Sequence, residues 1–305
     1  MTEINSSIHS TLLLVVATLL LQACGENAAP GVATPTEPVT RSYIGSAACR
    51  SCHEEEADKW QNSHHQLAIR EATPTNVAGD FANTTVTTPN GSSVFTSRKG
   101  GLTISTSLGD DQQTEFPVKY TFGVHPLQQY LLDTGNGRLQ AFTLAWDSRA
   151  EDQGGERWFD LRPGETISSA DTLHWSGRAY NWNNMCADCH STALQKNYVL
   201  ETDSFQTSFA ELSVGCEACH GPASEHVALA KVGDVAPGGL AHIRPQGAQI
   251  NVCAPCHSRR SQLADGFRPE SSYFDHYTPA LLDEGLYYPD GQIREEVYVY
   301  GSFLQ

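Results

Sequence analysis

Hydrophobic and polar residues follow different patterns in successive parts of the chain. The only long apolar run lies at the start, in "TLLLVVATLLLQAC", which ends at Cys24. From about residue 80 to about residue 160, Val, Thr, Phe and Tyr are interspersed with polar residues and turn signals such as "PNG" and "KGG". This pattern predicts β-strands. From His174 onward there is little apolar periodicity, which predicts short helices and loops.

Two stretches allow more specific predictions. "EEEADKWQNSHHQLAIREA", residues 54–72, contains helix formers and no Gly or Pro, so a helix is predicted there. "SVFTSRKGGLTISTSL" contains two strand-like runs around a Gly-Gly turn and predicts a β-hairpin. The β-rich part, about 80–160, is expected to be an insert in a chain of short helices and loops, which gives an α+β fold class.

The N-terminal apolar run indicates export. Residues 1–23 have the short apolar core of a secretory signal, too short for a comfortable membrane-spanning helix. "LQAC" resembles a bacterial lipobox, in which the signal is cut before the cysteine and that cysteine carries a lipid; Cys24 is the predicted lipidation site. Because the first ten residues contain no Lys or Arg, a plain cleaved signal or an uncleaved anchor are the alternatives.

The segment after Cys24 predicts a flexible tether. Residues 24–41 are rich in Ala, Pro and Thr and have no apolar periodicity, as is typical of linkers. We expect it to connect a membrane, with the outer membrane favoured, to a globular body over residues 42–305. The formal charge of -16 argues against a nucleic-acid partner, because phosphate binding requires clustered Lys and Arg.

One motif decides the chemistry. Cys-x-x-Cys-His occurs four times, as "CRSCH", "CADCH", "CEACH" and "CAPCH", here called motifs 1 to 4. With 12 histidines in 305 residues, chance would place one at a given position only about once in twenty-five, so four are not accidental. In c-type haem attachment the two thiols form thioethers to the haem vinyl groups and the adjacent histidine is the proximal iron ligand. Four covalently bound haem c groups are therefore predicted.

The predicted attachment residues follow directly from the motifs. The thioether cysteines are Cys49, Cys52, Cys186, Cys189, Cys216, Cys219, Cys253 and Cys256, and the proximal histidines are His53, His190, His220 and His257. A disulfide framework would not repeat one spacing four times, and zinc sites would leave the histidines unexplained. Cys24 accounts for the odd total of nine cysteines.

The sixth iron ligand separates a carrier from a catalyst. Only two methionines are present, Met1 within the signal and Met185 directly before Cys186, so His/Met ligation is not expected. Seven histidines of the mature chain lie outside the motifs, enough to cap every iron. His226 follows His220 too closely to pass around the haem of its own motif. If it binds iron, that iron belongs to another motif.

Several segments together resemble the cytochrome c-554-like domain of multihaem c-type cytochromes. They are "YIGSAACRSCHEEEADKWQNSHHQLA", "YTFGVHPLQQYLLDTGNGRLQAFTLAWDSR", "LHWSGRAYNWNNMCADCHST" and "VGCEACHGPASEH". The resemblance runs from about Ser42 to the end of the chain. It implies a multihaem cytochrome c fold in which short helices and loops pack around the haems, with the β-rich insert between the first haem and the other three.

The resemblance also implies a set of distal ligands. It singles out His65, His174, His226 and His276, and leaves His64, His125 and His242 as spares. The chain ends inside the strand-like run "EEVYVYGSFLQ", where related sequences continue toward further motifs. We therefore expect a truncated reading frame, for which four haems is a lower limit.

The leading functional hypothesis is a tetrahaem electron carrier on the periplasmic or cell-surface side, without substrate chemistry of its own. Its partners would be redox proteins such as other cytochromes. A reductase or oxidase of a small nitrogen or sulfur compound is the enzymatic alternative, because relatives of this type include such enzymes. Arg259 and Arg260 would then line an anion site, although a salt bridge to a haem propionate is the simpler interpretation. The third hypothesis is a homo-oligomeric subunit of a haem filament.

Overall fold

The computed structural model describes residues 40–108, 112–234, 236–241, 243, 246–280, 285, 287–290 and 294. The predicted signal, Cys24, nearly all of the tether and His242 lie outside these residues. Among the helices of the described part, none is long and apolar enough to cross a membrane.

A nine-stranded antiparallel sheet dominates the first half of the described chain. Its strands are β1 (Ile69–Glu71), β2 (Ala82–Thr88), β3 (Gly91–Arg98), β4 (Gly101–Ser107), β5 (Gln113–Phe122), β6 (Leu127–Asp133), β7 (Leu139–Ala141), β8 (Leu144–Asp147) and β9 (Arg157–Asp160). The main order is β2-β3-β4-β5-β6-β8-β9, with β1 paired to β5 and β7 to β6. The predicted hairpin is confirmed, because β3 and β4 pair antiparallel with Arg98 opposite Gly101.

The sheet curls until its two ends approach each other. Trp158 of β9 stacks on Phe95 of β3 with ring centroids 3.7 Å apart, and its indole N–H donates to the Asp80 carbonyl just before β2 at 3.2 Å. The alternating burial of β4 turns one face inward. The enclosed core is aromatic and aliphatic, and its members include Phe81, Phe95, Ile104, Phe116, Tyr130, Leu132, Phe142 and Trp175.

Short helices are separated by turns and loops in the remaining described chain. They are α1 (Glu54–Trp60), α2 (Trp182–Met185), α3 (Ala187–His190), α4 (Cys216–His220), α5 (Ser224–Lys231), α6 (Gln246–His257) and α7 (Tyr273–His276). Two small antiparallel pairs accompany them: β10 (Tyr198–Val199) with β11 (Ser204–Phe205), and β12 (Arg260–Gln262) with β13 (Tyr277–Pro279). The strands and short helices form an α+β fold that is richer in strands than expected.

The predicted helix over residues 54–72 is wrong beyond Trp60. Gln61 is extended and Asn62 has a positive φ of 63°, a conformation that Asn tolerates but that ends a right-handed helix. Trp60 is held there because its indole N–H donates to the Val214 carbonyl at 2.9 Å. The chain then turns and forms β1, so that the segment carrying His65 is a turn rather than a helix.

Buried amides join the sheet to motif 2. The Asn183 side-chain oxygen accepts the Leu139 backbone N–H at 2.9 Å, and the Asn181 amide donates to the Gln140 side chain at 3.0 Å. Trp182, 1% exposed, packs with Leu139 in the same hydrophobic cluster. Polar groups that are buried are satisfied in this way, and α2 is thereby fixed on the sheet directly before Cys186.

Candidate functional site

Each of the four motifs lies on a helical turn. In motif 1 the backbone N–H groups of Cys52 and His53 both donate to the Cys49 carbonyl, at 3.1 and 3.0 Å. Motif 2 forms α3, motif 3 forms α4, and motif 4 ends α6. A helical turn brings residues three and four positions apart to one face. Both thiols and the histidine of each motif therefore project from a single turn. None of the eight motif cysteines forms a disulfide.

The motifs contact one another through their cysteines. The backbone N–H of Cys216 donates to the Ser46 hydroxyl at 2.9 Å, and the Cys49 and Cys216 thiols interact, which joins motif 1 to motif 3. The Cys189 thiol donates to the Pro255 carbonyl of motif 4 at 3.7 Å and interacts with the Cys256 thiol, which joins motif 2 to motif 4. Cys219 interacts electrostatically with Cys253, which connects motif 3 to motif 4. The motifs therefore follow one another in space in the order 1, 3, 4, 2, which differs from their order in the sequence.

Burial keeps several of these thiols protonated. It raises the pKa of Cys186 to about 12, and burial, followed by nearby thiols, raises the pKa values of Cys49 and Cys219 to about 11. Cys189 is the exception, because a hydrogen bond with Cys256 lowers its pKa. A redox dithiol works through a thiolate, so the raised pKa values do not favour that kind of site. The histidine directly after each pair of thiols fits thioether attachment of haem c.

His226 lies opposite His53, the histidine of motif 1. The ring centroids of His226 and His53 are 6.2 Å apart, and the ring planes are 29° from parallel. Nδ1 of His226 lies 3.3 Å from the Ala236 carbonyl, so a proton on Nδ1 would leave Nε2 available to a metal. Two imidazoles on one iron, with nitrogens about 2 Å from the metal and about 1 Å from the ring centres, have centroids about 6 Å apart. The separation fits one iron held between them.

His65 makes a second pair of this kind. Its ring centroid lies 6.0 Å from that of His257, the histidine of motif 4, and the ring planes are nearly perpendicular at 86°. The distance again fits a metal held between two imidazoles. The structure therefore brings two of the four predicted distal histidines to a motif histidine.

The other two predicted distal histidines have different neighbours. His174 is buried beside Trp175, and its Nδ1 lies 2.7 Å from the Ser176 hydroxyl. His276 ends α7 and packs edge-on against Phe267 with ring centroids 5.6 Å apart. Of the spare histidines, His64 and His125 are exposed.

Among the described residues, two partly buried histidines have a buried ring nitrogen without a hydrogen-bond partner. They are His190 of motif 2 and His276, and in each the atom is Nδ1. Burial, followed by the nearby His65, lowers the pKa of His190 to about 4, which keeps its imidazole neutral at neutral pH. Neutral imidazole is the form that binds metals. The donor set therefore fits haem iron.

Polar contacts between the motifs were not predicted from the sequence. Arg260 forms an ion pair with Asp188 of motif 2 at 2.6 Å, so its guanidinium binds a protein carboxylate where a propionate or an anion was expected. Glu217 of motif 3 is 1% exposed. The sequence contained one signal for the Asp188 ion pair and for the burial of Glu217, which is an acidic residue at a variable position of a Cys-x-x-Cys-His motif.

Comparison with known proteins supports the haem interpretation. The family model for cytochrome c554 and c-prime matches residues 48–93 and 157–221, which contain motifs 1, 2 and 3. The chain is similar to the outer cell wall cytochrome OcwA, with a TM-score of 0.56, 18% identity, and coverage of 86% of this chain and 51% of that one. It therefore spans about half the length of OcwA. No curated protein matches.

A second solved structure is similar over a smaller share of its length. It is the undecahaem cytochrome from the S-layer of Carboxydothermus ferrireducens, with a TM-score of 0.43, 17% identity, and coverage of 76% of this chain and 30% of that one. The matched family implies covalently bound haem c. The family match and the fold shared with OcwA confirm the resemblance of this chain to multihaem c-type cytochromes of the cytochrome c-554-like family.

Proposed function

We propose that this protein is an exported tetrahaem c-type cytochrome that passes electrons between redox partner proteins in respiratory or extracellular electron transport. The observation that carries the proposal is the pair of histidine couples, His53 with His226 and His65 with His257, at centroid separations of 6.2 and 6.0 Å. Histidine on both sides of an iron closes it to substrate, as a carrier requires. No catalytic residue is assigned.

The eight motif cysteines would hold four haem c groups and the four motif histidines would be the proximal ligands. His65, His174, His226 and His276 would be the distal ligands, two of them in the couples above. When bound, each haem supplies a one-electron redox couple. The protein orients the imidazoles and keeps neighbouring motifs close together.

The spatial order of the motifs supports a linear electron path. Interactions of Cys49 with Cys216, Cys219 with Cys253, and Cys256 with Cys189 connect the motifs as 1, 3, 4, 2. Electron transfer slows steeply with distance, so the proximity of neighbouring motifs favours transfer along this series. We further propose that the sheet covers haem edges as an insert between motif 1 and the other motifs. The gap in the family match, between residues 93 and 157, lies within it.

The cellular location belongs to the same proposal. A signal over residues 1–23 and a lipid on Cys24 would tether the cytochrome to a membrane, with the outer membrane favoured, on the periplasmic or cell-surface side. OcwA is, by its name, an outer cell wall cytochrome, and the second similar structure is from an S-layer. Self-association into an oligomer or filament is compatible with this location.

Intact mass and spectroscopy of the secreted, haem-loaded protein test the proposal. The mass should contain four haems and, at the N-terminus, a lipidated Cys24. Electron paramagnetic resonance of the oxidised protein should show low-spin iron, and added nitrite or hydroxylamine should leave the absorption spectrum unchanged. A fully occupied high-spin haem that shifts on adding either compound would establish the enzymatic alternative instead.

A further inference from the structure

Two acidic side chains lie at variable positions of the haem-attachment motifs. The motif itself places no requirement on these positions, so an exposed residue would serve there as well. Glu217 is the first variable residue of motif 3 and Asp188 is the second variable residue of motif 2. Motifs 1 and 4 have no acidic residue at these positions. Because burying a carboxylate costs free energy unless it is fully hydrogen-bonded, their contacts are informative.

Glu217 connects motif 3 to the segment that leads into motif 1. Its carboxylate accepts the backbone N–H of Gly45 at 2.8 Å, of Ile44 at 3.0 Å and of Ala223 at 2.9 Å. Gly45 immediately precedes the 3-10 turn Ser46–Ala48, which ends at Cys49. Three backbone donors on one buried carboxylate therefore set the position of motif 1 relative to α4.

Ser46 reinforces the same joint. Its hydroxyl accepts the backbone N–H of Cys216 at 2.9 Å and donates to Glu211 at 2.8 Å. Glu211 also accepts the Ser46 backbone N–H at 3.0 Å. These bonds lie beside the Cys49 and Cys216 thiols, which interact with each other.

Asp188 makes the corresponding connection between motifs 2 and 4. It accepts from Arg260 at 2.6 Å and from the Tyr277 hydroxyl at 3.0 Å. Arg260 in turn donates through Nε to the carbonyl of Pro255, inside motif 4, at 2.7 Å. Its guanidinium lies over the Tyr277 ring at 3.9 Å and 3.5 Å from the Cys189 sulfur.

We propose that Glu217 and Asp188 are positioning residues for electron transfer, which hold motif 1 against motif 3 and motif 2 against motif 4 and so fix the mutual orientation of the haems attached there. The inference rests on the proposed function. Apolar side chains would pack two motifs together equally well. Hydrogen bonds to a carboxylate are directional, so they specify one arrangement of the two motifs.

Neutral substitutions in the full, haem-loaded chain test this proposal. In Glu217→Gln an amide N–H would face backbone N–H donors. In Asp188→Asn the half-buried Arg260 would lose its counter-charge. We expect each variant to keep the wild-type number of haems by mass but to lose part of the Soret circular-dichroism couplet, which reports the mutual orientation of neighbouring haems. Glu217→Gln should shift the reduction potentials of the haems on motifs 1 and 3, and Asp188→Asn those on motifs 2 and 4.

Milder variants and a control complete the design. Ser46→Ala and Arg260→Lys each weaken one joint while keeping its carboxylate, and should cause smaller changes in the same haem pairs. Asp203→Asn removes an exposed carboxylate that pairs with Arg138 at 2.7 Å, outside all motifs, and should leave the couplet and the potentials unchanged.

A wild-type couplet and wild-type potentials in both Glu217→Gln and Asp188→Asn would overturn the proposal. Loss of haem would also overturn it, by assigning the residue to attachment or folding. Failure of the proposed function would instead appear in the wild-type protein, as a different haem count or as high-spin iron.

Discussion

The imidazole of His226 lies 6.2 Å, centroid to centroid, from that of His53, although His226 follows motif 3 and His53 closes motif 1. The same region brings the Cys49 and Cys216 thiols into contact. A histidine attached to one motif thus reaches the predicted haem of its spatial neighbour. The position of the haem on motif 1 would then depend on the backbone that follows motif 3.

Replacing His226 with Met should change the haem of motif 1 and leave the haem of motif 3 unchanged. Methionine as the axial ligand raises the reduction potential relative to histidine, so one potential should rise in a spectroelectrochemical titration. His64→Met is the matched control, because His64 lies outside the motifs and is one of the spare histidines, so it should leave every potential unchanged. If the haem of motif 3 responds in place of that of motif 1, the assignment of His226 to His53 is wrong.

The ring planes of the two histidine couples predict two kinds of low-spin signal. The planes are 29° apart for His53 and His226 and 86° apart for His65 and His257. Nearly parallel imidazoles interact with the same iron d orbital. They separate its energy from that of the second d orbital of the pair, which gives a rhombic signal. Nearly perpendicular imidazoles leave these two orbitals close in energy, which gives a strongly anisotropic signal with a large maximum g value.

Electron paramagnetic resonance of the oxidised protein checks this assignment. His226→Met should remove a rhombic component, and His65→Met should remove the strongly anisotropic one. The two variants serve as controls for each other. Loss of the same component in both variants would contradict the pairing.

The sequence predicted local features well and contacts between distant segments poorly. The turn at Lys99 and the strands around it depend on neighbouring residues, so the hairpin was predictable. The helix after motif 1 was predicted too long because helix-forming composition does not report the left-handed Asn62. The couple of His65 with His257 and the contacts of Glu217 join segments far apart in the sequence. No periodicity carries that information.

Gly137 should be needed for the junction between the sheet and the region of motif 2. Its φ is +68°, and a Cβ atom there would lie 2.0 Å from the Phe205 carbonyl oxygen. Gly135, in the same turn, has a φ of +90° and open space around it. Gly135→Ala should therefore cost only about 1–2 kcal/mol for the left-handed conformation, whereas Gly137→Ala should cost a further 1–3 kcal/mol or so for overpacking.

Thermal unfolding of the two alanine variants measures this difference. For a chain of this size, 1 kcal/mol corresponds to a shift in Tm of about 2–4 °C. Gly137→Ala should therefore unfold clearly below Gly135→Ala, with haem content unchanged in both. Equal Tm values would show that the turn relaxes away from Phe205.

The Asp147 carboxylate should give the sheet a stability that disappears at low pH. Its hydrogen bonds with Arg149, at 2.9 and 2.6 Å, lower its pKa to about 2, whereas an unfolded Asp has a pKa of about 3.9. A lowered folded-state pKa means that the stabilisation is complete above the unfolded value and is lost as the pH falls through the folded one. Asp147→Asn should therefore lower the denaturant midpoint at pH 7. The gap in midpoint between variant and wild type should narrow from about pH 4 toward pH 2.

Arg149→Gln removes the other half of the pair and should reproduce this pH dependence. A gap that stays constant over this range would show that Asp147 stabilises the strand end through its neutral hydrogen bonds and not through its charge.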